Sequence, residues 1–187
     1  MNVRYLPGLS AEPHSKAAML ALWNSLCDDP GYAASPFKFE TTAYGQIVLS
    51  GAKKTRHSVF QANIARLLHQ HAQANEYAGQ SFTACAKLTA AGIKVPDVTW
   101  ASIAKARAAL AAEIFESAPE ICVEVLSSSN DPHEIEAKIT LYFEAGAEEV
   151  WICDNGGRMR FLDAAGTLNV SRLLSDFPLT VKLLQVP

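Results

Sequence analysis

Two short apolar runs, ICVEVL and EVWICD, flank a capped amphipathic helix, and no other feature of the chain constrains its fold so tightly. ICVEVL has the pattern of a strand buried on both faces. Asp131, Pro132 and Glu134 suit the N-cap, N1 and N3 positions of the helix that follows. Ile135, Ile139 and Tyr142 make its apolar face, and Gly146 is placed to end it. Residues 120–154 therefore predict a strand–helix–strand unit. Such a unit is usually parallel and right-handed.

At 187 residues, with 49% hydrophobic, the chain predicts one compact α/β domain spanning 1–187. Ahead of the central unit, residues 13–27 and 57–71 carry helical spacing. FKFETTAYGQIVLS alternates as two strands joined near Ala43–Gly45. SFTACAKLTAAGIKVPDVTWAS reads as strand, turn and strand, with the turn near Ala91–Gly92, and Ala-rich residues 101–115 as a helix. NGG after Asp154 signals a hairpin into RMRFLD. The remainder, from TLNVSRLL onward, carries apolar runs but no chemical motif.

The net charge of −3 and pI of about 5.9 argue against a protein that coats nucleic acid by bulk charge. They leave room for an enzyme that meets DNA at one local site, where bound metal supplies positive charge. Cys27, Cys85, Cys122 and Cys153 form no CxxC or zinc spacing, and Cys122 and Cys153 read as buried small hydrophobes. The N-terminus has no apolar signal core, and no segment approaches 18 uninterrupted apolar residues. The expectation is a cytoplasmic protein, neither secreted nor membrane-spanning.

Chemistry concentrates at three residues. Asp97 in VPDVTW and Glu124 in ICVEVL are acids on predicted strands, and Lys138 lies on the helix after Glu124. Two carboxylates can hold Mg²⁺, and an ammonium can act on a water or a phosphate. Glu124 is flanked by Val123 and Val125, and a carboxylate in a buried strand is costly unless paired or metal-bound. Lys138 falls beside Ile135 and Tyr142, at the edge of the buried helix face. Each has a bland alternative: a strand-end acid, an edge-strand acid, a solvated helix lysine. Lys53, Lys54, Arg56 and His57 make a small basic cluster, either a solvated loop or a contact to substrate phosphate.

PDVTW, then PEICVEVLSSSND, then KITLYFEAGAEEVWICD, resembles the restriction-endonuclease family of the Uma type, in the PD-(D/E)xK nuclease superfamily, over about residues 37–155. The resemblance implies a restriction-endonuclease-like fold, a central mixed sheet flanked by helices. It implies a Mg²⁺-dependent endonuclease, with Mn²⁺ as substitute and DNA as substrate. Asp97 matches the first acid and Glu124 the second. Leu126 occupies the usual lysine position, and Lys138 matches the lysine that the family presents from the next helix. Glu40 in FKFE resembles a further acid of the metal site, and a backbone carbonyl of Val125 or Leu126 a further ligand. A homodimer suits cleavage of two strands by one site per chain. The alternatives are a nuclease-fold binding or assembly module without catalysis, and a metal-dependent hydrolase of a small phosphate ester.

Overall fold

The computed structural model describes residues 10–34, 37–50, 54–74, 78–128 and 130–184. In chain order these form α1 (Lys16–Asp28), α2 (Pro30–Ala33), β1 (Lys38–Thr41), β2 (Ile47–Ser50) and α3 (Thr55–Ala74). Next come β3 (Gly79–Thr83), β4 (Lys87–Thr89), β5 (Gly92–Lys94), β6 (Val98–Ser102) and α4 (Ile103–Ala112). β7 (Ile121–Val125), α5 (Pro132–Glu144), β8 (Glu149–Cys153), β9 (Met159–Asp163) and β10 (Gly166–Leu168) complete them.

The main sheet has six strands in the order β10-β9-β8-β7-β6-β3. β7 and β8 are parallel, as the strand–helix–strand pattern requires, and the other neighbours are antiparallel. α5 is capped as its sequence predicts: Asp131 accepts from His133 N at 2.9 Å, with Pro132 at the start. Gly146 follows the helix with φ +97°, a conformation glycine adopts without penalty.

Alternation along β7 sorts the two faces. Ile121, Val123 and Val125 pack with Phe60, Ile64 and Leu68 of α3. These α3 residues recur every four positions, the stripe of a helix laid on a sheet. Cys122, with Val150 and Ile152 of β8, packs instead against Ile135 and Tyr142 of α5. Glu124 therefore projects toward α5. All five residues of β7 and all five of β8 are buried, as strands covered on both faces should be.

The segment expected to be strand, turn and strand holds four strands. β3 pairs with β6, and β4–β5 is a separate hairpin between them. Ala84 takes φ +51°, which ends β3. Pro96 has no N–H to give a ladder and separates β5 from β6. The expected turn at Ala91–Gly92 is present, within that small hairpin. Gly92 is required there, because a Cβ would lie 2.4 Å from Thr41 O. Asp97 consequently sits just before β6 rather than on a strand. The predicted helix at 101–115 is shorter, since β6 runs through Ser102 and Glu113 ends α4 with φ +56°.

The C-terminal stretch, silent in motif, has a structural task. Leu174, Phe177 and Val181 join the core on the α3 side. Val181 N donates to Gly157 O at 2.8 Å, in the β8–β9 turn. Among the described residues, no helix is long and apolar enough to cross a membrane.

Candidate active site

The fold brings Asp97, Glu124, Lys138 and Glu40 to one end of the β6–β7 pair. Val98 pairs with Val123, so Asp97, one step earlier, stands across from Glu124. Asp97 is fixed there from several sides. Its N–H donates to Val123 O at 3.0 Å, and its Oδ2 accepts from Val125 N at 2.9 Å. The carboxylate thus takes the place of a ladder carbonyl beside the backbone of Glu124. Gln61 donates to Asp97 O at 2.7 Å.

Lys38 Nζ lies 3.2 Å from Asp97 Oδ1, and His57 Nε2 lies 3.1 Å from Oδ2. A carboxylate only accepts, so Nε2 carries the proton of that bond. Burial would push the Asp97 carboxyl upward. Lys38, His57 and the Val125 N–H outweigh it and hold Asp97 well below the usual carboxylate range.

Lys138 bridges the two glutamates. Its Nζ is 2.7 Å from Glu40 Oε1 and 3.4 Å from Glu124 Oε1. Burial alone would lower the Lys138 pKa, but Glu124, Glu40 and Asp97 together raise it well above the ordinary lysine range. Glu40 is held low: burial raises it, but Lys138, Lys38 and Lys94 lower it further.

The placement of Glu40 has a clear local origin. It lies on β1 of the β1–β2 hairpin, which leans on β5 rather than on the main sheet. Ile93 N donates to Thr41 Oγ1 at 2.9 Å, and Lys94 Nζ to Thr41 O at 2.9 Å. Val95 N then donates to Glu40 Oε1 at 3.0 Å. These bonds aim the carboxylate at α5.

The sequence alone did not single out Tyr142, Lys38 or Lys87. Tyr142 was read only as apolar helix face, yet its hydroxyl donates to Glu124 Oε1. It follows Lys138 by four residues, so both project from one face of α5. That spacing was the available signal. Lys38 precedes Glu40 by two residues on one strand, and period two puts both on one side of the hairpin. Lys87 gave no signal. It is fully buried, 3.8 Å from the Tyr142 ring centroid and 3.4 Å from Cys122 Sγ. Burial pushes its pKa down.

The expected basic cluster divides. Lys53 lies outside the described residues. His57 is buried on Asp97 rather than exposed in a loop. Lys54 and Arg56 are exposed and line a cleft beside His57.

Three buried carboxylates, Glu40, Asp97 and Glu124, supply the oxygen donors that a hard divalent cation takes. The Lys138 ammonium already occupies a cation position between Glu40 and Glu124. Among the described residues, no three of His, Cys, Asp and Glu are grouped around one metal position. The acids form two sets instead, Glu40 with Glu124 about Lys138, and Asp97 with Lys38 and His57.

A family model described as "Uma2: Putative restriction endonuclease" matches residues 26–168. The chain belongs to this Uma2 family. The crystal structure of a "putative nuclease belonging to DUF820" from Anabaena variabilis ATCC 29413 is similar, with TM-score 0.63 and 16% identity. The match covers 78% of this chain and 87% of that one. No curated protein matches the chain. The Uma2 chain described here therefore has the restriction-endonuclease-like fold, its mixed sheet carrying α3 on one face and α5 on the other.

Proposed function

We propose that this Uma2-family protein is a Mg²⁺-dependent endonuclease that hydrolyses phosphodiester bonds in DNA, with Mn²⁺ able to substitute. One observation carries the reading: a half-buried lysine, Lys138, bridges two buried acids, Glu40 and Glu124, and Asp97 stands across the strand pair from Glu124. In this reading Asp97, Glu124 and Glu40 would hold the metal. The bound ion would supply charge for the phosphate and acidify a water.

Lys138 acts as a fixed positive charge rather than as a base. Burial alone would lower its pKa, but the neighbouring Glu124 and Glu40 carboxylates raise it and favour the charged ammonium. It orients water and stabilises developing negative charge. Tyr142 holds the Glu124 carboxylate in place through its hydroxyl. Lys38 neutralises Asp97 on the side away from His57, and Lys54 and Arg56 meet substrate phosphate at the edge of the site. The proposal takes the chain as one domain that works as a cytoplasmic homodimer, each copy cutting one strand.

Plasmid nicking with Mg²⁺ or Mn²⁺ tests this function. Asp97→Ala and Lys138→Ala should each abolish nicking while leaving the circular dichroism spectrum unchanged. Equal nicking by wild type and both variants would remove the proposal. Sedimentation of the protein with and without DNA tests the homodimer.

A second reading is a nuclease-fold binding module that does not cleave. It draws on the ammonium groups already seated on all three acids and on the net charge of −3. Calorimetric titration separates the two readings: a silent module binds no Mn²⁺ at millimolar concentration.

A further inference from the structure

A cleft of about 310 Å³ opens beside the acids, between the start of α3 and the loops that leave β7 and β8. The parallel pair β7–β8 ends here, and ligands of α/β sheets gather outside the carboxyl ends of such strands. Lys54 and Arg56 stand at its rim, and Phe60 and Leu126 give it an apolar floor. Ser127 and Ser128 line the wall opposite α3.

The cleft and the acids share a wall. His57 lines the cleft and also holds Asp97, so an occupant lies one side chain away from that carboxylate. His57 Nδ1 is buried without a hydrogen-bond partner among the described residues, which leaves a polar atom of that wall unsatisfied. Leu126 follows Glu124 by two residues and is tied to β8 through its N–H to Cys153 O at 2.8 Å.

The walls are preorganised. With its amide oriented to satisfy both neighbours, Asn155 donates to Leu126 O at 2.9 Å and accepts from Ser128 N at 3.3 Å. Asn130 Oδ1 accepts from Ser127 N at 2.6 Å and from its hydroxyl at 2.8 Å. Gly157 packs beneath Phe60, where a Cβ would come within 2.7 Å of the ring.

We infer that this cleft is a subsite for one unpaired nucleotide next to the scissile phosphate, so that the enzyme prefers single-stranded or frayed DNA to intact duplex. The assignment deepens the nuclease reading of the neighbouring acids and rests on it. Cationic rim, apolar floor and hydroxyl wall match the phosphate, the base face and the base edge of a nucleotide in turn. The volume lies at the lower end of small-molecule pockets and accommodates one base. Net charge points the same way. A chain at −3 gains little from counterion release along a long duplex, so affinity must come from local contacts.

The test uses the full chain in EDTA, where binding is read without cleavage. Fluorescence anisotropy compares a labelled single strand, the same sequence as a blunt duplex, and that duplex with one unpaired nucleotide. The expected order is single strand and unpaired site tighter than blunt duplex by about tenfold. Ser128→Phe fills the cleft from an exposed loop position and should bring all three affinities to the blunt-duplex value, with an unchanged melting temperature. Equal binding of single strand and duplex by wild type overturns the subsite, as does full retention of the preference in a folded Ser128→Phe. Plasmid nicking in Mg²⁺, run in parallel, separates the two claims. Nicking without strand preference removes the subsite alone. Strand preference without nicking removes the nuclease reading and keeps a single-strand binding site. Loss of both removes both.

Discussion

Neighbouring strands of the sheet each bury a glutamate, and the two differ in who holds them. Glu124 on β7 is 5% exposed and Glu149 on β8 is 2% exposed. Glu149 accepts from the backbone N–H groups of Arg172 and Leu173, at 2.6 and 3.0 Å, and from the Trp151 indole at 2.6 Å. Those donors belong to backbone and to a core ring, and they pin the C-terminal stretch to the sheet. Glu124 is held by the Tyr142 hydroxyl and the Lys138 ammonium, both at the tips of helix side chains. Burial of an acid does not mark a site. For these two glutamates the donors make the difference: backbone N–H groups and a core ring lock Glu149 into the structure, and side-chain tips leave Glu124 able to exchange partners.

The sharpest way to break this contrast is to neutralise each acid. Glu124→Gln should lower metal-dependent nicking by about a hundredfold or more while the protein melts near the wild-type temperature. Glu149→Gln should do the reverse. It replaces an acceptor oxygen with a donor amide facing other donors, and should cost about 2–3 kcal/mol in urea unfolding. Nicking per folded molecule should stay unchanged. A Glu149→Gln protein that is stable but inactive would erase the distinction.

Tyr142→Phe is the next test in size. It removes only the hydroxyl on Glu124, and should reduce nicking by about tenfold and stability by about 1 kcal/mol. A full loss of stability would place Tyr142 with the structural lock.

The smallest expected effect is in the pH dependence of stability. The folded Asp97 carboxyl is held below its unfolded value, so its contribution is present above about pH 4 and is lost as pH falls through the folded pKa. Lys138 is raised, so its contribution is complete below about pH 10.4 and is lost only as pH rises through the folded pKa. Melting temperature followed from neutral to acid pH should fall in wild type and fall less steeply in Asp97→Asn. Parallel acid limbs would mean that Asp97 contributes nothing to the linkage.

How far the site could be read beforehand follows from the range of each signal. The β7–α5–β8 unit is local, and its capping residues and apolar runs specify it without help from the rest of the chain. Glu124 and Lys138 lie within that unit, so sequence order already places them together. The burial argument that singled out Glu124 applies equally to Glu149, and only the partners tell them apart. Beyond Trp151, two residues on, the donors to Glu149 come from Arg172 and Leu173, more than twenty residues away. Lys87 was illegible for a similar reason, because its contacts come from β7 and α5. The split of 81–102 into four strands turned on Ala84 at positive φ, which composition does not announce.

The hairpin that carries Glu40 is a two-stranded unit outside the main sheet, and Glu40 meets Lys138 across 98 residues of chain. The entropy of closing so long a loop must be spent before the contact returns anything. During synthesis the Glu40–Lys138 contact cannot form until α5 has left the ribosome, so a nascent chain emerges with this half of its acidic centre still unassembled.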